Sequence, residues 1–344
     1  MKLHRAVAAI VLLFAAGCAP RYAVRTTAPE IHLQWPFQPQ SAKVTYVSTL
    51  SGFSESTSLL KSIVYGGGGK EANSFILPVA VSIGNDGRMA VADMGRRCVH
   101  LYFPVRKHYL RLHGGPNESI ASPVSVVFDD RLQMYVSDSA GKILVFGADG
   151  GFRFSISQAG GERLKRPTGL AFSNPKQLLF AVDTLANKVY AFHPDGELAF
   201  AFGERGEEKG QFNFPTHIFR SPAGALYVTD SLNFRIEMFD ESGAFLGSFG
   251  HHGDGSGDLA MPKGVAVDRD GAVYVVDGIF DNVQLFSSEG VFLLTLGGRG
   301  VNFGEFWLPS GITIDDSGLL YVCDTYNRRV QVFRITEHYN ASPS

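Results

Sequence analysis

The chain is poor in cysteine, with three in 344 residues, at positions 18, 98 and 323. No two of them form a CxxC pair or a CxxCH haem-attachment site, so a zinc ribbon and a covalently held haem are both excluded. A Gly-rich phosphate loop ending in Lys-Ser/Thr is also missing, as is a Ser, His and Asp order of the hydrolase type. No cofactor is therefore expected. Charge of one sign is lacking too: 31 Lys and Arg face 33 Asp and Glu, for a net charge of -2. Loss of Lys2 and Arg5 with a leader would make that -4, because residues 1–17 hold no acid. Nucleic acid, which needs a concentrated basic face, is not an expected partner. Long amphipathic helical patterns are nearly absent. The apolar run Ala6–Ala16 has eleven residues, short of the roughly 20 that span a bilayer as a helix.

What is abundant points elsewhere. Thirty-nine glycines and 27 phenylalanines in a chain that is 45% hydrophobic suit an all-β protein with many tight turns and a large core. Prolines open six similar segments, at Pro78, Pro123, Pro167, Pro215, Pro262 and Pro309, at intervals of 45, 44, 48, 47 and 47 residues. Fifteen residues after the proline stands an aspartate: Asp93, Asp138, Asp230, Asp277 and Asp324, with Asp183 at sixteen. An aromatic follows nine residues later at Tyr102, Phe192, Phe239, Phe286 and Phe333, and eight later at Phe146. Each segment alternates apolar and polar residues through four short runs parted by turns, which reads as a four-stranded antiparallel meander. Six such units predict a six-bladed β-propeller over residues 42–338, since packing blade on blade buries both faces of each sheet.

The last unit has only three strands. The run Lys43–Leu50 alternates like a strand and is expected to add as the fourth, closing the ring and leaving no bare edge. Residues 54–65, with Leu59, Leu60, Ile63 and Val64 on one face, predict a short helix. Between units, Gly297, Gly300, Gly304 and Phe306 recur at the offsets of Gly250, Gly253, Gly257 and Leu259, of Gly203, Gly206, Gly210 and Phe212, and of Gly66, Gly69, Asn73 and Phe75. These glycines are expected to supply positive φ at each blade-to-blade crossover, with the following large apolar residue plugging between neighbours.

Two resemblances extend this reading. The motif Pro-x-Gly-Val/Ile, Tyr-Val-x-Asp, Asn-x-Arg-Val/Ile and a closing Phe resembles the NHL repeat; Pro309, Gly311, Tyr321, Asp324, Asn327, Arg329 and Phe333 carry it throughout. The basic start Met1–Arg5, the apolar run and Ala15-Ala16-Gly17-Cys18 resemble a bacterial lipobox. That resemblance implies a signal peptide over residues 1–17, lipidation of Cys18 and a tether over residues 18–41, with a tail at 339–344. Ala19 after the cysteine implies the outer membrane. The expected protein is an exported, lipid-anchored component of the cell envelope that binds an envelope or extracellular protein or peptide.

The residues available for chemistry are few. The recurring aspartates either ring a metal or, as expected here, cap their loops by accepting backbone N–H bonds. Long side chains five residues on, such as Arg235 and Arg329, are expected to bridge to neighbouring blades. Cys98 and Cys323 fall in blades that closure makes adjacent, so they either pair as a disulfide or stay as buried thiols. Residues two after each proline (Ala80, Ser125, Gly169, His217, Gly264 and Gly311) are expected to ring the channel mouth. His217 with His251 and His252 is the one candidate metal set, and it would resemble the peptide-amidating lyases of this superfamily. That makes a metal-dependent lyase or hydrolase the alternative to a binding scaffold. For the scaffold, Arg205, Phe234, Phe280, Arg299 and Tyr326 are the expected contacts on the crossover-loop face.

Overall fold

The computed structural model describes residues 20–56 and 72–336. Within them six antiparallel sheets stand around a central channel, five of them running outward in chain order. Blade one is Pro78–Ile83, Met89–Asp93, Cys98–Phe103 and His108–Leu112. Blades two to five repeat the plan from Pro123, Pro167, Pro215 and Pro262. Blade six supplies Ile312–Ile314, Leu319–Asp324 and Arg329–Ile335. Its fourth strand is Val44–Glu55 from the other end of the chain, with Val44 opposite Ile335 and Leu50 opposite Val330. The expected closure is present, and the strand is longer than the sequence pattern marked.

Residues 20–41 correct the tether reading from residue 20 onward. Tyr22–Thr27 pairs along the outer side of Val44–Glu55 as a fifth strand, and Gln34–Trp35 pairs with its start. The cause is apolar: Trp35 is buried edge-on against Phe333 at 5.7 Å, and Tyr22 packs on Tyr109 at 5.2 Å. Most of the helix expected at 54–65, like Cys18, Gly66 and Gly69, lies outside the described residues.

The core fills the spaces between adjacent blades. The crossover plugs Phe75, Phe212, Leu259 and Phe306 are all buried, worth roughly 1.5–3 kcal/mol each by area. In each described crossover triplet the first and third glycines have positive φ, as at Gly297 and Gly304, both at 78°. The middle one does not. At Gly300 the Glu305 side chain lies over the Cα, and a Cβ there would have to displace it.

The seam between blades six and one is closed by hydroxyls rather than sulfur. Thr325 Oγ1 donates to the Pro78 carbonyl at 2.8 Å, and Ser310 Oγ to that of Val79 at 3.2 Å. Cys98 and Cys323 are free and buried, the second of the two alternatives that the sequence left open. The Cys98 sulfur lies 3.7 Å from His100 of its own blade, a ring that in turn lies 3.3 Å from Asp93. Burial pushes the Cys98 thiol up to about 12, so both geometry and acidity keep it inert.

Candidate binding site at the channel mouth

The recurring aspartates hold the loops that shape the mouth. Asp93 accepts the N–H groups of Ile76, Leu77 and Arg96 at 2.8, 3.0 and 3.0 Å. Asp138, Asp183 and Asp277 make equivalent sets. Each carboxylate ties its own loop to the segment that precedes its blade's proline, and all six are buried. Their oxygens are occupied by donors, so they form no metal ring. Arg329 adds a clamp: its Nε meets Asp324 at 2.6 Å, while its other nitrogens donate to the carbonyls of Val301, Asn302 and Glu305. Arg235 does the same with Glu207, Glu208 and Gln211. The grip is on the crossover from the preceding blade, as expected.

The inner strands depart from simple alternation immediately after the proline. In blade one Pro78 pairs with Asp93 and Ala80 with Ala92, leaving Val79 as a bulge, and four other blades share the shift. A bulge inserts one residue and re-aims those around it. The residues one after the proline, Val79, Val124, Thr168, Thr216, Lys263 and Ser310, therefore all line the mouth. The ring expected there lies partly below it. Gly169, Gly264 and Gly311 sit against the backbone of the next inner strand, where any Cβ would clash, and Ala80 and Ser125 line the narrower channel beneath.

Three blades build the mouth from paired hydroxyls. Thr168 bonds Thr184 at 2.9 Å, and Thr184 donates to the Pro215 carbonyl of the next blade at 2.7 Å. Thr216, Ser231 and Pro262 repeat this, as do Ser310, Thr325 and Pro78. The signal in the sequence is the dipeptide Asp-Thr/Ser at 183, 230 and 324, which reads as ordinary turn composition unless the bulge is known. Blade five breaks the pattern at both positions, with Lys263 and Gly278.

His217 lines both the mouth and the channel beneath it. Its Nδ1 accepts the Val265 N–H at 3.3 Å. Burial pushes the imidazole down to about 4, so the ring is neutral near pH 7 and carries its proton on Nε2. The other two histidines do not join it. His251 Nε2 is 2.6 Å from Asp258, and His252 packs against Phe234 at 4.3 Å. Among the described residues no three His, Cys, Asp or Glu side chains are placed to hold a metal. The zinc set of His217, His251 and His252 is thus corrected: the crossover loop points its histidines at its own neighbours.

Of the other expected contacts, Tyr326 lines the mouth, half exposed and tilted against Trp307 at 5.7 Å. Arg205 and Arg299 are exposed on crossover loops, Arg299 3.9 Å from Asp281. Phe234 and Phe280 are half-buried, and Phe234 packs in the core between blades four and five. What sequence reasoning missed is a rim. Leu185, Leu232, Ile279 and Tyr326 each stand two residues after a recurring aspartate, and all are exposed, as are Met94 and Trp307 nearby. With Val301 they make seven of the thirteen exposed large hydrophobic residues described, gathered on one face. Inside the rim the mouth encloses about 390 Å³.

These features define the class: a six-bladed β-propeller with a hydrophobic rim on its crossover face. A model of the NHL repeat matches residues 306–333, so the chain carries that repeat in blade six. No curated protein matches the sequence. Solved structures share the fold. A virginiamycin B lyase from Staphylococcus aureus aligns with a TM-score of 0.56 and 14% identity, over 76% of this chain and 96% of that one. A gluconolactonase from Xanthomonas campestris gives 0.58 and 19%, over 76% and 87%. An auxiliary nutrient binding protein from Bacteroides thetaiotaomicron gives 0.57 and 13%, over 75% and 69%. At these identities the likeness is one of fold, which carries many functions.

Proposed function

We propose that the protein is a lipid-anchored propeller of the bacterial envelope that binds a protein or peptide partner on its crossover face. The observation that carries this reading is the rim. Isolated apolar residues on a surface need no explanation, but a set repeated at one structural position around a concave mouth marks an interaction surface. Aromatic side chains in it, Trp307 and Tyr326, are the types that dominate binding energy at such surfaces. Leu185, Leu232 and Ile279 are each at least half exposed, so most of their apolar surface is not used inside the fold. Six packed blades hold the backbone of the rim in place, which lowers the ordering cost of binding and favours affinity. The lipobox-like Ala15–Cys18 supports the anchor, because a lipidated Cys18 would hold the domain at a membrane by burying methylenes.

The test is crosslinking in intact cells of the source bacterium. The wild-type chain is expected to give a discrete adduct that Leu232→Glu with Ile279→Glu abolishes while the protein level stays unchanged. An adduct that survives both changes sinks the reading of the face. Palmitate labelling lost on Cys18→Ser is the expected result for the anchor, and labelling that persists overturns it.

A further inference from the structure

Blade five departs from its neighbours at the mouth in two positions. Where blades three, four and six pair hydroxyls, it has Lys263 on the inner strand and Gly278 after the aspartate. A Cβ at Gly278 would lie 3.4 and 3.5 Å from Cγ and Cε of Lys263 and 2.7 Å from the Met261 methyl. The glycine thus leaves room for the Met261 methyl, and the lysine stem passes it at ordinary contact distance. Lys263 makes no hydrogen bond or ion pair among the described residues; Asp277, the nearest acid behind it, spends its oxygens on the N–H groups of Ala260, Met261, Ile279 and Phe280. Arg166 lies on the same mouth, its guanidinium 5.6 Å from the Phe214 ring. No aspartate or glutamate lines the cavity. Two positive charges and the Nε2–H donor of His217 thus share a largely apolar depression on a chain whose net charge is -2.

We propose that the mouth binds a carboxylate attached to an apolar body, with Lys263 as its counter-ion and Met94, Met261 and Val124 around the body. The inference rests on the crossover-face reading and names what that face receives. A low-dielectric recess lined by charge of one sign focuses its field on an incoming ion of the opposite sign. Charge-assisted hydrogen bonds to a carboxylate from an ammonium are about twice as strong as neutral ones. The ring hydroxyls already serve one another and the proline carbonyls, which leaves Lys263, Arg166 and His217 as the nitrogen donors open to a ligand, beside the hydroxyls of Ser122 and Tyr326. A cavity of about 390 Å³ falls in the range of small-ligand sites, roughly 300–1,000 Å³. Two sources of such a ligand share this chemistry: the free end of a peptide, and a small organic acid.

The experiment uses the full chain in a neutral detergent, with its methionine methyl groups labelled with carbon-13. Of the six methionines, Met94 and Met261 line the mouth, while Met134 is buried in the core and reports on folding. N-acetyl-leucine, N-acetyl-leucinamide, isovalerate and a hexapeptide ending in leucine are titrated in turn. N-acetyl-leucine is expected to shift Met94 and Met261 and leave Met134 unmoved. The amide should bind about tenfold more weakly or worse, as should N-acetyl-leucine to Lys263→Met, since each loses one charged partner. Lys263→Arg should retain binding. A hexapeptide tighter than isovalerate assigns the site to peptide ends; the reverse assigns it to free acids, and both support the carboxylate. Equal binding of acid and amide, or an unchanged affinity in Lys263→Met, overturns the inference while leaving the rim as a binding face. Silence of Met94 and Met261 to every probe also overturns it, whatever the crosslinking shows.

Discussion

Glu237 stands where blades five and six carry glutamine, and the difference has a consequence for stability. In those blades Gln284 and Gln331 accept the N–H of a crossover glycine and donate to the carbonyls of Asp258 and Glu305, at 2.7 and 2.6 Å. Glu237 keeps the first bond, accepting from Gly210 at 3.2 Å. Its other oxygen is buried with no partner, because the equivalent neighbour is the Gln211 carbonyl, which needs a donor. Burial pushes this carboxyl up to about 7, against the pull of Arg235 at 3.2 Å and with a push from Asp230. The folded state therefore holds a proton that the unfolded chain releases near 4.5, and stability falls as pH rises between those values. The loss is about 3 kcal/mol from this group at most. Thermal unfolding at about pH 5 and about pH 8 measures it. Glu237→Gln is expected to be more stable than wild type at the higher pH and to narrow the gap between the two. Parallel behaviour of the two proteins would show that the group is paired after all.

At the scale of elements, the strand Val44–Glu55 has the largest effect. It buries Val44, Leu50 and Phe53, and it covers the edge of Arg329–Ile335 that would otherwise stand open. Deleting residues 43–50 removes that cover together with the support for Tyr22–Thr27, so the ring should fail to close. Circular dichroism should then show loss of the cooperative transition, and a deletion protein that melts like wild type would contradict the topology. The strand was legible in the sequence because its start alternates, with Val44 and Tyr46 packed towards blade five; a bulge after Tyr46 then turns Leu50 to the blade-one side. The blades were legible for the same reason, helped by prolines and aspartates at fixed spacing. Residues 20–41 were not, because four prolines among polar residues look like a spacer. Only Trp35 and Tyr22, seated on Phe333 and Tyr109, reveal that the segment packs. His217, Gly264 and Gly311 of the expected ring do line the mouth, and the residues one after each proline were missed because a bulge leaves no mark in composition. The rim at Leu185, Leu232 and Ile279 was missed because a lone apolar residue in a turn carries no periodicity.

For the whole molecule, one end of the propeller gathers seven of the thirteen exposed large hydrophobic residues described. The crossover face carries a hydrophobic rim, and inside it lie two cations and a neutral histidine. The outer strands expose apolar residues too, such as Leu246 and Val291, but singly and at the periphery. If binding were a matter of general stickiness, exposure alone would decide which residues meet a partner. If the rim is the docking face, position decides. Ile279 and Val291 separate the two cases, since they are 58% and 61% exposed and belong to the same blade. A photo-crosslinking amino acid at position 279 or at position 291, in chains expressed in the cells the protein comes from, is the most direct test. The account predicts a single defined adduct from 279 and none from 291. Equal adducts from both positions, or an adduct from 291 alone, would contradict it.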